Sequence, residues 1–263
     1  MLYPALLSTM LYLFSSILFA IDCRSYQQQC ASEEKYPIHL SFDDGPADVT
    51  QHILDVLKKE KIKATFFVIA NKIDCPVYQR ACLMGQQKSC EAEQICYENR
   101  AILQRVKNEG HMIGAHGYYH IPHSQLSTAQ LAHDLHKAKS VLSPYFTTNP
   151  PLFRLPYGDG WFNRQEQPQV LQALEKQGFK HVAWEMSAYD WRSADQQGDK
   201  ILHTVINEIC NKKRGTILFH DGVHDQLRIG RLFTAQHIEQ WLPAMKCIAQ
   251  FKTLNEVSRP LNQ

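Results

Sequence analysis

Two adjacent carboxylates, Asp43 and Asp44, end a short apolar run and are followed at once by Gly45-Pro46. Neighbouring residues on an extended chain point to opposite sides. Gly-Pro then stops the strand and turns the backbone. The two acids therefore meet different environments at a loop rim. In such a place one carboxylate can bind a metal while the other moves protons. A solvated Asp-Asp turn is the ordinary alternative, so the decision rests on what else the chain brings to that rim.

His116 and His120 are four apart, a spacing that presents two imidazole nitrogens to one metal ion on a helix or tight loop. The spacing alone is weak. The chain has 13 histidines, and His220 and His224 repeat it. With Asp44 as third ligand, His116 and His120 complete a nitrogen and oxygen set suited to zinc or a similar divalent ion. Arg154, in Arg154-Leu155-Pro156-Tyr157-Gly158, offers a permanent cation to orient Asp43 and keep it ionised. A main-chain N–H near Tyr157 can face a developing oxyanion. His220 ends the apolar run Thr216 to Phe219 and can protonate a leaving amine. Leu218, two residues earlier on the same strand face, can wall a pocket for a small methyl group.

These residues need a scaffold that brings distant loops together. The runs at 38–42, 64–70, 112–115, 180–184 and 216–219 read as strands. Between them, amphipathic spacing predicts helices near 50–61, 100–108, 131–142, 170–178, 201–209 and 233–242, with Ser127 and Gln130 forming a capping box. Strands alternating with helices imply a parallel α/β sheet, open or closed into a barrel. In either architecture the working loops lie at the carboxyl ends of strands. Asp43-Asp44, His116, Arg154, Ser187 to Trp191 and His220-Asp221 all fall there.

The 263 residues suffice for one large domain or two small ones. A net charge of +2 with scattered basic residues argues against a nucleic-acid partner. Residues 1–20 carry no charged side chain and resemble a secretory signal ending near Ala20, or an uncleaved membrane anchor. Residues 21–35 read as a polar N-terminal arm. Eight cysteines, all after that segment, suit an exported, disulfide-bonded protein. The four between Cys75 and Cys96 are expected to staple a Cys-rich insertion at about 72–99 internally. Cys23–Cys30 and Cys210–Cys247 are the other candidate pairs.

Taken in order, the segments Ser41 to Pro46, His116 with His120, Arg154 to Tyr157, Ser187 to Trp191 and Leu218 to Asp221 resemble the five motifs of the NodB-type polysaccharide deacetylases, carbohydrate esterase family 4. The fourth is matched only in part. The resemblance runs from about Tyr36 to Val257 within an expected single domain at 36–258. It implies a distorted (β/α) barrel of about seven repeats. It also implies metal-dependent removal of acetyl groups from N-acetylglucosamine polymers, or less often O-acetyl groups from xylan. By the resemblance Asp43 is the base, Asp44, His116 and His120 bind the metal, His220 is the acid and Arg154 orients the base. Tyr157 gives its N–H to the oxyanion, Leu218 lines the methyl pocket and Trp191 walls the groove. Zinc is the expected metal, with cobalt or a similar ion as alternatives. An acetylated glycan is the expected partner, and a monomer the expected state.

Two departures stand out. Gly117 replaces the usual Ser or Thr, which predicts a looser histidine loop. Ser187 replaces an Asp that tethers the third-motif Arg, so Asp190 or Asp159 is expected to take over that tether. Rival classes are an inactive carbohydrate-binding protein and an O-acetyl or small-amide hydrolase. Retention of Asp43 and His220 speaks against the first, and a substrate panel separates the second.

Overall fold

The computed structural model describes residues 21–159, 165, 167–197 and 199–257. The apolar segment 1–20 and residue 258 lie outside the described residues. The parallel sheet follows the order β5-β4-β3-β2-β1-β7-β6, with β8 pairing on β1. β1 (Tyr36–Asp43), β2 (Ala64–Val68) and β7 (Gly215–His220) form its centre. β3 (Met112–Ala115), β4 (Leu152–Phe153) and β5 (Lys180–His181) extend one side. β6 (Met186–Ser187) closes the other side, and β8 is Ala249–Phe251. β5 and β6 are consecutive in the chain yet stand at opposite ends of this path. The sheet is thus a curled, incompletely closed barrel of seven strands wrapped by helices.

Burial explains the central strands. All five residues of β2 are buried, the pattern of a strand covered on both faces. α2 (Thr50–Glu60) turns Ile53, Leu54 and Leu57 inward and Lys58 and Lys59 toward solvent. α5 (Thr128–Leu142) starts at the expected capping box, Ser127 with Gln130. The core runs through Phe42, Phe66 and Phe219 to the fully buried Trp241 of α8 (Leu232–Met245).

Four expectations need correction. Residues 21–35 hold a helix, α1 (Cys23–Cys30), capped by Asp22. The pairs Cys23–Cys30 and Cys210–Cys247 do not form; the disulfides are Cys23–Cys247 and Cys30–Cys210. The reason is geometric. Seven residues along a helix rise about 10 Å, too far for one disulfide. Each end of α1 instead pins to a different C-terminal element, Cys210 lying in α7 (Lys200–Lys212). The insertion is a helical hairpin of α3 (Cys75–Leu83) and α4 (Gln87–Asn108), so the helix expected from residue 100 starts at Gln87. Its cysteines pair internally as expected, Cys75–Cys96 and Cys82–Cys90. The strand expected at 180–184 is two residues long, and β6 had no legible signal. The remaining α-helices among the described residues are α6 (Gln167–Lys176) and α9 (Leu254–Val257).

Candidate metal and acid–base site

Strand register builds half the site. In the parallel pair β1 and β7, Asp43 stands opposite His220 and Ser41 opposite Leu218. β3 and β4 deliver His116 and Arg154 one residue beyond their ends, and His116 Nδ1 lies 2.8 Å from the Arg154 carbonyl oxygen. A carbonyl only accepts, so Nδ1 donates and the lone pair sits on Nε2. That Nε2 lies 3.5 Å from Asp44 Oδ1, and His120 Nε2 lies 3.2 Å from the same oxygen.

Asp44, His116 and His120 place one ligand atom each within 4.8 Å of one another, and all three are buried. Burial drives the His116 imidazole down to about 4 and the His120 imidazole to about 3, so both are neutral near pH 7. Burial would raise the Asp44 carboxyl, but His220, His116, His120 and Lys72 hold it below its usual value. Asp44 Oδ1 is buried with no hydrogen-bond partner. A carboxylate oxygen and an imidazole lone pair that face each other without a proton are matched by a cation. These residues therefore fit a divalent metal ion.

Asp43 is buried and accepts from Arg154 Nη1 at 2.7 Å. Burial pushes its carboxyl up to about 6 against the pull of Arg154 and His220. The ion pair limits this rise without bringing Asp43 below its ordinary value. Arg154 is itself fully buried. Ser41 Oγ accepts from its Nη1, and the carbonyls of Val182 and Ala183 accept from Nε and Nη2. Its guanidinium also lies 4.0 Å over the Phe67 ring. Neither expected tether is used. Asp159 accepts from Ser124 instead. Asp190 accepts from the His220 N–H, from His220 Nδ1 and from Thr234 Oγ1, each at 2.8 Å. Burial alone would lower the His220 pKa, but Asp190 holds it up at about 9. Asp190 and Ser41 thus have supporting roles that sequence reasoning missed. The Asp-Trp pair at 190–191 and the serine two residues before Asp43 were the available signals.

The histidine loop is braced in another way than by a hydroxyl at 117. Gly117 has φ +78°, where a side chain is strained, and an added Cβ would lie 3.2 Å from the His123 ring. Buried Asp134 accepts from the Tyr118 N–H at 3.0 Å and pairs with His123. Tyr118 donates its hydroxyl to Asp74. Positive φ recurs at Asp44, His120, Tyr157 and Tyr189, four non-glycine residues that line one cavity of about 540 Å³. Such cost is sustained where the surroundings over-determine the backbone. Leu218 and Trp191 line the same cavity, with Leu218 buried and Trp191 exposed. The Tyr157 turn is closed by the N–H groups of Gly158 and Asp159, so that of Tyr157 is not among the bonds that close it.

Comparison with known proteins adds the lineage. A family model described as polysaccharide deacetylase matches residues 31–182, more than half of the 263-residue chain. A peptidoglycan-N-acetylglucosamine deacetylase of Bacillus cereus is 31% identical over 171 residues, covering 64% of this chain and 52% of its own length. A second from the same organism is 28% identical over 228 residues, covering 84% and 88%. The chain spans about half the length of some curated relatives, 57% of one from Bacillus subtilis. A crystal structure of the Bc1960 peptidoglycan N-acetylglucosamine deacetylase superposes with a TM-score of 0.63 at 25% identity, covering 86% of this chain and 89% of that one. With more than half its length matched and the same curled barrel beneath it, the chain belongs to the polysaccharide deacetylase family.

Proposed function

We propose that this protein is a metal-dependent hydrolase that removes N-acetyl groups from a polysaccharide containing N-acetylglucosamine, a peptidoglycan or chitin-like glycan, and releases acetate. One observation carries the reading. Asp44 Oδ1, buried and without a hydrogen-bond partner, faces two neutral imidazoles beside the Asp43–His220 register pair. Asp44, His116 and His120 would hold zinc or, failing that, cobalt or a similar ion. When bound, such an ion polarises the acyl oxygen and eases ionisation of water.

The chain's own residues supply the rest. Asp43, with Oδ1 engaged by Arg154, takes a proton from the attacking water on Oδ2. A C–O bond forms at the acetamide carbon and the C–N bond breaks. His220, oriented through Nδ1 by Asp190, gives its Nε2 proton to the leaving sugar nitrogen. The Tyr157 N–H donates to the developing oxyanion. Leu218 packs on the acetyl methyl group and Trp191 walls the sugar groove.

We assign the work to a domain over about 36–258 acting as a monomer. Four disulfides support an exported setting, in periplasm, envelope or extracellular space. Among the described residues no helix is long and apolar enough to cross a membrane. The test is acetate release from chitooligosaccharide, peptidoglycan and acetylxylan, with and without chelator and added zinc. Zinc-restored release from the N-acetylated glycans is expected. Release from acetylxylan alone, or none at all, overturns the proposal.

A further inference from the structure

The charges in the cavity are matched with one exception. Asp43 is paired with Arg154, and His220 with Asp190. Asp44 faces the two metal-binding imidazoles. Arg231 enters the same cavity, and its guanidinium has no hydrogen-bond or ion-pair partner among the described residues. Its Nε is buried without a partner, an exception that a folded protein seldom carries without a use.

The side chain is aimed by a rigid backbone. Arg231 caps α8, and its N–H donates to the carbonyl oxygen of Asp221, the residue after His220. Gly222 and Gly230 form an antiparallel bridge, and the Gly222 N–H donates to the Asp43 carbonyl oxygen. The backbone at Arg231 therefore holds a fixed station relative to the acid–base pair. Exposed Ile229 and Leu232 flank it. With a divalent ion on Asp44 the cavity is net positive, and Arg231 is the charge left for a ligand. A guanidinium fork matches the two oxygens of a carboxylate, and one fork balances one monoanion.

We propose that Arg231 binds a carboxylate carried by a sugar next to the one that loses its acetyl group, so that the preferred substrate is an acidic rather than a neutral N-acetylated glycan. This rests on the deacetylase reading. The probes are a peptide-free tetrasaccharide of alternating N-acetylglucosamine and N-acetylmuramic acid with free lactyl carboxylates, and the same compound as its lactyl methylamide. Binding to the zinc-loaded full chain is measured by calorimetry, and acetate release in parallel. The wild-type protein should bind the free acid roughly tenfold more tightly than the amide, the scale of one charge-assisted hydrogen-bonded pair. R231Q should bring the ratio near one, and R231K should keep part of it. Equal binding of both compounds by the wild type, or an unchanged ratio in R231Q, overturns the proposal. Free acetate is titrated as well. If R231Q weakens acetate but leaves the tetrasaccharide ratio unchanged, the site serves the product and the proposal fails. If neither compound releases acetate, the deacetylase reading fails while the binding ratio still decides on Arg231.

Discussion

Asp190 accepts both the main-chain N–H and the ring Nδ1 of His220, each at 2.8 Å. The second bond fixes the tautomer, so the transferable proton sits on Nε2. The buried carboxylate also keeps the ring protonated to about pH 9. Activity should therefore hold across neutral pH and fall as pH rises through about 9. In Asp190→Asn that alkaline limb should move down by at least about one pH unit, with kcat at pH 7 reduced roughly 100-fold. The sign carries over to stability. A ring whose folded pKa is raised from 6.5 to about 9 stabilises the fold fully below pH 6.5 and loses that contribution as pH rises through 9. Thermal unfolding of wild type between pH 7 and 10 should show this extra fall, and Asp190→Asn should lack it. Equal pH profiles for the two proteins would contradict the assignment.

Asp43 and Asp44 are neighbours with separable roles, and metal content separates them. Asp43→Asn keeps an acceptor for Arg154 but no longer takes a proton, so kcat should fall roughly 1000-fold while zinc is retained. His116→Ala should lose both zinc and turnover. Asp43→Ala should fold less well than Asp43→Asn by about 1–3 kcal/mol: both lose the counter-charge of the buried guanidinium, but only Ala also removes the oxygen that accepts from Arg154 Nη1. Elemental analysis, acetate release and urea unfolding read the three effects. Wild-type kcat in Asp43→Asn would sink the base assignment.

Gly222 is where the backbone behind the site leaves no room. A Cβ there would lie 2.0 Å from the Asp44 carbonyl oxygen and 2.7 Å from the Gly45 nitrogen. Gly222→Ala must push the Asp44 peptide, and with it a carboxylate whose backbone already has positive φ. Zinc affinity should fall at least roughly tenfold, with a fold cost of about 1–3 kcal/mol from overpacking. Zinc titration against a colorimetric chelator reads the first number. Unchanged affinity would show that the loop gives way without moving the ligand.

Legibility followed the kind of signal. Long buried runs such as Ala64 to Val68 announce themselves, as does the Ser127–Gln130 box. Parallel strands then place loop residues on one rim, so Asp43, Asp44, His116, His120, Arg154 and His220 could be gathered from sequence. The partner of each was harder. Arg154 is held by carbonyls of Val182 and Ala183, and main-chain acceptors have no residue code. That Asp190 serves His220 and not Arg154 was not legible, because the closing strand β6 is only two residues long and carries no periodicity to place the residues after it. Likewise the polar helix α1 has no apolar stripe to read, since two disulfides, more than burial, fix it.

Those disulfides set the last prediction. Cys30–Cys210 spans 180 residues and Cys23–Cys247 spans 224, so each closes most of the domain. Cys82–Cys90 spans only 8 residues, at the tip of the hairpin. Cross-links over longer loops remove more freedom from the unfolded chain. Cys30→Ser with Cys210→Ser should therefore cost about 3–4 kcal/mol, and Cys82→Ser with Cys90→Ser about 2 kcal/mol. Neither change touches the rim, because α1 packs on α7, and the tip residues Leu83 and Met84 are exposed. Denaturant unfolding should rank the two variants in that order, while acetate release per zinc-loaded molecule stays within about twofold of wild type, the scatter expected of sites that share no contact. A larger loss of turnover in the 82/90 variant than in the 30/210 variant would mean that the hairpin tip shapes the glycan groove.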